Sequence, residues 1–507
     1  MDALHAAAPA LALSVVALAL SAGRRGPAGL LPALSSACLF AFAALLLYNY
    51  SVVDWVSLVL SVTSFALVVV VTLYTTYYVE AERLPRSLPL LVSLFGFSIS
   101  LTYLAVNLIL FVIAWSFMEI IGFVLVRIGE EYSTEGSLRA ARGYLLTSTT
   151  AFEITAFTLI VLSVPSIVSS YSPNALYQPF AGATPVVEVS SPVLLALLLA
   201  GFVAKAALFP LHFWLPGAHS TAPSPASALL SGLTTPLGFY GLLRLSEIVD
   251  LTAWSQSLAY LLLAMGLSSI AYAGLEALGQ RDGKIMLAYT TILTNGFTAL
   301  LFALYLSSPI STLLLVAVVL VMLMQMGYKT VLFCGMGLIE LAYGTRYIQG
   351  LAGVSQQLRT SSPGVLIAVY TLIGVPGTVG FLAKLLSMYL LLSGVVEGGG
   401  PPAVAALAGA ALYIALSAVV GVRVLSVYTA SMRSRRPPLE FKQPNTPLEA
   451  AVLAMGLLSL APSALLLQGL GGPGWLAALA VSTLPIPLLV SLLQTARVVT
   501  GVARAPA

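Results

Sequence analysis

The sequence predicts an all-α, polytopic membrane protein of about 14 to 15 transmembrane helices, containing an inverted repeat whose seventh and twelfth spans are discontinuous. Three observations carry this. Of 507 residues, 59% are hydrophobic and 8% are charged, where a soluble domain carries about 25% charged residues. Apolar stretches long enough to cross roughly 30 Å of hydrocarbon follow one another along the chain. Finally, Gly201-Phe-Val-Ala-Lys205, five residues before Pro210, returns as Gly380-Phe-Leu-Ala-Lys384, eight residues after Pro376 in Gly374-Val-Pro376-Gly377. Gly/Pro-interrupted apolar segments at matching places in two halves point to an inverted-repeat transporter.

In order, the spans fall near residues 4–22, 28–49, 53–79, 87–104, 106–127, 143–164, 192–213, 225–244, 256–275, 285–306, 310–339, 363–392, 403–430, 448–468 and 474–495. The first lacks a basic region ahead of it, and Arg24-Arg25 lies behind it, so it reads as a retained span rather than a signal peptide. With the N-terminus outside and the C-terminus inside, the inner loops carry Arg24, Arg25, Arg83, Arg86, Arg127, Arg139, Arg142, Arg281, Lys284, Arg346, Arg359 and the basic run through Arg433, Arg435 and Arg436. The outer loops then carry only Arg244, as the positive-inside rule requires. Spans seven and twelve have opposite parity, so the repeated motif crosses in opposite directions.

Composition also excludes functions. The net charge of +4 reflects basic loops and not a nucleic-acid surface. Cys38 and Cys334 sit in separate apolar runs and no His cluster accompanies them, so no metal site and no iron-sulfur cluster is expected. No Walker A loop or dinucleotide fingerprint occurs, and no cofactor is expected. Energy must arrive from an ion gradient or a partner subunit.

The chemistry-bearing residues are ionisable groups inside apolar spans. Glu119 lies in VNLILFVIAWSFMEIIGFVLV, and Lys205, Lys329 and Lys384 lie equally deep, three of the chain's few lysines. Burial penalises the charged form of either residue, and proximity of a Glu and a Lys restores it, so such a pair is a proton carrier with a switch. A permanent buried ion pair or a snorkelling side chain would use the same residues. Glu153, in TSTTAFEITAFTLIV, is either a second carboxylate partner or an acid hydrogen-bonded to a neighbouring Thr. Asp54, Glu80 and Arg423, near span ends, read as anchors. His212 and His219 follow the Pro210 break and either relay protons or hydrogen-bond freed backbone. Pro210 and Pro376 each remove a backbone hydrogen bond, which survives at membrane depth only beside protein or cavity water.

These residues resemble a known family. AKAALFPLHFWLPGAHSTAPSPASALL, Glu119, the stretch Gln280-Arg-Asp-Gly-Lys284-Ile-Met-Leu-Ala-Tyr-Thr290, Lys329-Thr-Val-Leu-Phe333 and the Gly374 to Lys384 segment occur in the order and on the spans of the antiporter-like subunits of respiratory complex I. Related subunits occur in Mrp-type multisubunit sodium/proton antiporters and membrane-bound hydrogenases. The resemblance implies two inverted five-helix repeats, at 87–250 and 251–432, between N-terminal helices 1–86 and C-terminal helices 433–507. It also implies a relay in which Glu119 and Lys205 form the first switchable pair, Lys329 the connection and Lys384 the second site. Redox energy would reach such a subunit from a neighbouring arm that carries flavin, iron-sulfur clusters or quinone, none of which is expected to bind this chain.

Two positions depart from the family pattern. Where an eighth-helix lysine or histidine is usual, this chain has Ser231 or Pro236, and where a histidine precedes the eleventh-helix lysine it has Gln325. Ser, Thr and Gln order water but hold no proton near neutral pH. The expected function is a proton-translocating, or sodium/proton antiporting, membrane subunit of a multisubunit complex in the cell membrane. The rival expectations are a stand-alone secondary transporter and a non-conducting structural subunit.

Overall fold

The computed structural model describes residues 2–128, 134–170, 180, 185, 187–307, 311–396, 400–429 and 441–460. The chain divides into two units, Met1–Val79 with Leu84–Leu258, and Glu80–Arg83 with Ala259–Ala507. Eleven helical stretches are long and apolar enough to cross a membrane, and four shorter apolar helices join them, among the described residues.

The first unit runs through α1 (Asp2–Ser21), α2 (Pro27–Asn49), α3 (Trp55–Ala81), α4 (Leu88–Tyr103), α5 (Leu108–Ile128), α6 (Thr134–Tyr144), α7 (Thr150–Ser170), α8 (Pro192–Lys205), α9 (Trp214–Thr221), α10 (Ser224–Leu229) and α11 (Leu237–Ile248). Two-residue strands Val187–Glu188 and Val249–Asp250 pair in parallel. Helix starts follow local chemistry: Pro192 opens α8 behind Ser191, whose hydroxyl accepts the Leu194 N–H at 3.3 Å. A π-helical turn, Leu145–Thr149, joins α6 to α7, and a second, Leu230–Thr234, follows α10. The sixth span is therefore longer than 143–164 and carries an internal wide turn. The seventh span is helical only to Lys205, and turns occupy the chain up to α9.

The second unit holds most of α12 (Ser255–Gly279), then α13 (Gly283–Tyr305), α14 (Ser311–Tyr343), α15 (Val354–Gln357), α16 (Ser362–Ile373), α17 (Val379–Val396), α18 (Gly400–Thr429) and α19 (Thr446–Leu458). Asp282 caps α13 by accepting from the Lys284 and Ile285 N–H groups at 2.9 and 3.2 Å. The twelfth span divides at Gly374, whose φ of +93° suits glycine, and resumes at Val379. The fourteenth span is described only to Leu460, and the fifteenth, at 474–495, lies outside the described residues, as do Arg433, Arg435 and Arg436.

Two charged residues expected on loops are built into the helices instead, and Arg423, near the end of α18, is held by backbone carbonyls. Arg244 was expected on an outer loop, but it is 1% exposed inside α11. Its guanidinium pairs with Asp54 at 2.6 Å and Glu247 at 2.7 Å and donates to the Ser57 hydroxyl at 2.7 Å. Lys284 was expected on an inner loop, but it is buried against Glu340 at 2.9 Å. Arg423, expected as an anchor, donates to the Leu278 carbonyl at 2.6 Å and the Gln280 carbonyl at 2.5 Å, closing the end of α12. A charge one turn inside an apolar run meets partners that only packing supplies. Because Arg423 satisfies carbonyls that α12 leaves open, Arg423→Ala is expected to cost about 1–3 kcal/mol, read as a lowered Tm in detergent.

Candidate functional site

Helix α5 places Glu119 at its middle on the face that also carries Trp115, Met118 and Gly122, all buried. A Cβ at Gly122 would strike the Tyr144 hydroxyl, so glycine lets α6 bring that phenol into the site. Helix α8 ends at Lys205, and its ammonium lies 2.6 Å from Glu119 Oε1, both side chains fully buried. Lys205 also donates to the Tyr144 hydroxyl at 3.3 Å and lies 5.0 and 5.6 Å from the ring centres of Tyr144 and Trp214.

The carboxylate has neutral donors besides the lysine. Trp115 Nε1 donates to Oε1 at 3.0 Å, the Ser148 hydroxyl to both oxygens at 3.3 Å, and the Thr149 hydroxyl to Oε2 at 3.1 Å. Trp115 is held by stacking on Phe152, with ring centres 4.4 Å apart and planes 6° from parallel. Ser148 and Thr149 reach the carboxylate from the π turn, whose extra residue per turn re-aims the chain at this point. On the lysine side, the Ala204 carbonyl at the end of α8 accepts Trp214 Nε1–H at 2.9 Å besides the Ala207 N–H at 3.0 Å.

The second unit holds the other two lysines. Lys329 is fully buried on α14 and donates to the Leu287 carbonyl at 2.5 Å and to the Thr290 hydroxyl, both on α13. Lys384 donates to the Leu372 and Ile373 carbonyls at 2.6 and 3.0 Å and to the Ser417 hydroxyl at 2.8 Å. Its stem lies against Gly374, where an added Cβ would come within 2.9 Å of the Lys384 Cδ. Gly374→Ala is thus expected both to strain a left-handed backbone position and to push Lys384 off its carbonyls, lowering Tm by the equivalent of about 1–3 kcal/mol.

The two copies of Gly-Phe-x-Ala-Lys take different places in their broken spans. Lys205 closes the segment before its break, whereas Lys384 sits in the second turn after its break and reaches back across it. Only the Lys384 amine meets the carbonyl end of the half-helix that precedes its break, where the helix dipole favours a cation, whereas the Lys205 amine is taken up by Glu119 and Tyr144.

The remaining expected residues are placed as follows. Pro210 and Pro376 are exposed within the two breaks. His212 is nearly buried beside Phe209, ring centres 5.3 Å apart, and His219 and Gln325 are buried. Ser231 is buried in the second π turn and Pro236 follows it, so that stretch presents hydroxyls and no base. Glu153 is neither a partner of the lysine nor bound to a Thr. It is exposed, and it accepts the Ser116 hydroxyl at 2.9 Å. Sequence reasoning missed Trp115, Tyr144, Ser148 and Thr149. Only Trp115, one helical turn before Glu119, left a signal in the spacing.

The family model described as NADH:quinone oxidoreductase/Mrp antiporter, transmembrane, matches residues 105–397. A probable K(+)/H(+) antiporter protein of Rhizobium meliloti is 30% identical over 321 residues, covering 63% of this chain and 30% of that protein. The Mrp complex of Dietzia sp. contains a chain that superposes with a TM-score of 0.69 at 20% identity, covering 99% of this chain and 56% of that one. A chain of respiratory complex I from Thermus thermophilus gives 0.63 at 23% identity, covering 92% and 98%. The chain spans about half the length, or less, of the first curated relatives it matches, 49% of a Mycobacterium tuberculosis protein for example.

Proposed function

Because the chain belongs to the NADH:quinone oxidoreductase/Mrp antiporter membrane family, we propose that it is a proton-translocating subunit of a multisubunit complex in the cell membrane, its N-terminus outside. The proton would use Glu119 and Lys205 in the first unit and Lys329 and Lys384 in the second. The observation that carries this reading is the fully buried Glu119–Lys205 pair set at a helix break.

The two partners differ in what surrounds them, which supports different roles for each. Glu119 keeps three neutral donors when the lysine leaves, so its carboxylate is never bare. Lys205 is the last helical residue before a stretch of turns, where a small backbone movement separates amine from carboxylate. Together, the pair is two charges. Apart, the low-dielectric surroundings favour neutral partners, and the lysine gives up its proton. A shift of the break therefore moves the proton from the amine to Glu119, from which it can be passed on. Lys329 and Lys384 are bound by carbonyls and hydroxyls, which hold an ammonium without competing for its proton.

Everted vesicles carrying the intact complex test this, with a pH-sensitive dye and energy from an electron donor or a sodium or potassium pulse. Proton movement that requires this chain is expected. Full transport by the chain reconstituted alone would transfer the function to a stand-alone transporter. A second reading, a non-conducting structural subunit, draws on Ser231 and the neutral π turn around it. Under that reading, variants of the Glu119–Lys205 pair transport as wild type.

A further inference from the structure

Helices α5 and α7 each divide into an inward and an outward face. On α5, Trp115, Met118 and Glu119 point inward, while Ile113, Phe117 and Ile120 are 61%, 48% and 60% exposed. On α7, Phe152, Thr155 and Ala156 are buried, while Ile154 and Phe157 face outward. Glu153 lies on this outward face and is joined to α5 by the hydrogen bond from Ser116. Ser116 is near the middle of α5, with about 12 Å of helix before it and about 18 Å after it, so the short Glu153 side chain cannot reach a headgroup.

A carboxyl group facing hydrocarbon is unfavourable, and one hydroxyl satisfies only part of its acceptor capacity. The α5–α7 surface therefore calls for a cation, and none of the described residues brings one to it. Among the described residues, its cations at membrane depth are turned inward: Lys205 onto Glu119, Lys329 onto Leu287, Lys384 onto Leu372, and Arg423 onto the end of α12. Among the described residues, a second copy of the chain has no outward cation at membrane depth to set against Glu153.

We propose that the α5–α7 face centred on Glu153 and Ser116 docks a transmembrane helix of a different, neighbouring subunit, which sets a lysine or arginine against Glu153 within a rim formed by Ile113, Phe117, Ile120 and Phe157. The inference rests on the reading of the chain as one subunit of a complex, which the relatives support.

The test uses the complex in its native membrane and the chain purified alone in detergent, each treated with dicyclohexylcarbodiimide and mapped by mass spectrometry. Glu153 should be modified in the isolated chain and roughly tenfold less in the complex. Glu153→Leu should melt no lower than wild type when isolated, since it removes a carboxyl from an apolar surface, yet copurify with roughly tenfold less of its neighbouring membrane subunits. Failure of the wild-type chain to bring down any neighbour removes the subunit reading itself. Wild-type and Glu153→Leu chains that retain neighbours equally, with Glu153 modified alike in both preparations, place lipid on this face and overturn the docking proposal. Phe157→Cys cross-linking to a second copy in native membranes overturns the choice of occupant.

Discussion

Lys205→Ala is expected to lower proton transport by the assembled complex roughly a hundredfold or more, the scale on which a positioned proton carrier acts. The neighbouring subunits should remain bound, because Lys205 faces the interior of its own unit. Glu119→Gln should do the same, since an amide keeps the shape and one acceptor oxygen but carries no proton. Stability separates the two variants. Removing one member of a buried pair costs about 3–5 kcal/mol when the other is left bare. Here Glu119 retains Trp115, Ser148 and Thr149, so Lys205→Ala should fall below that range. In Glu119→Gln, Lys205 keeps only neutral acceptors, the amide oxygen and the Tyr144 hydroxyl, for a buried ammonium, so Glu119→Gln should be the less stable protein. Vesicle acidification and detergent Tm, measured on both variants and on Glu119→Gln with Lys205→Met, check these outcomes. Transport equal to wild type in either single variant would leave the structural-subunit reading in possession.

Arg244→Leu is expected to have the largest effect on folding. It would strand Asp54 and Glu247 beside each other and remove the donor to Ser57, for a cost of about 3–5 kcal/mol. The pH dependence gives a second readout. Burial pushes the Asp54 carboxyl up, but the Arg244 guanidinium beside it and the Ser57 N–H outweigh this and hold it below its ordinary value. A group depressed in the folded state contributes stability that is complete above its unfolded pKa, about 3.9, and is lost as pH falls through its folded value. Wild type should therefore keep the Asp54 contribution at neutral pH and lose it only in acid. The variant should show no such loss, and its Tm should rise on mild acidification as the stranded carboxyls take up protons. Equal Tm values at neutral pH would contradict the assignment.

The sequence revealed residues whose presence in an apolar run has no ordinary explanation. Glu119, Lys205, Lys329 and Lys384 are of that kind, and Gly374 with Pro376 located the twelfth-span break. The hydroxyls that complete the site were not legible. Ser and Thr in apolar helices commonly bond their own preceding carbonyl, as Thr158 and Ser163 do here, and nothing in the sequence marks Ser148 and Thr149 as different. They differ because a π turn rotates them toward Glu119, and that turn is a product of packing. Arg244 and Lys284 were misplaced for another reason: a charge near the end of an apolar run has the same pattern whether it leaves the bilayer or turns inward. Glu153 shows the limit most plainly. Its depth was readable, but its direction depends on which face of α7 the fold buries.

The three amines also differ in what a proton does to their surroundings. Handing a proton from Lys205 to Glu119 turns a zwitterion into two neutral groups and leaves the sum of charge in that pocket at zero. Lys384 is ringed by uncharged oxygens, so its protonation adds a whole positive charge. A membrane potential, worth about 2.3 kcal/mol per elementary charge per 100 mV over the full thickness, has little purchase on the first event and acts directly on the second. The voltage sensitivity of turnover should therefore reside in the second unit, with the first acting as a nearly electroneutral latch.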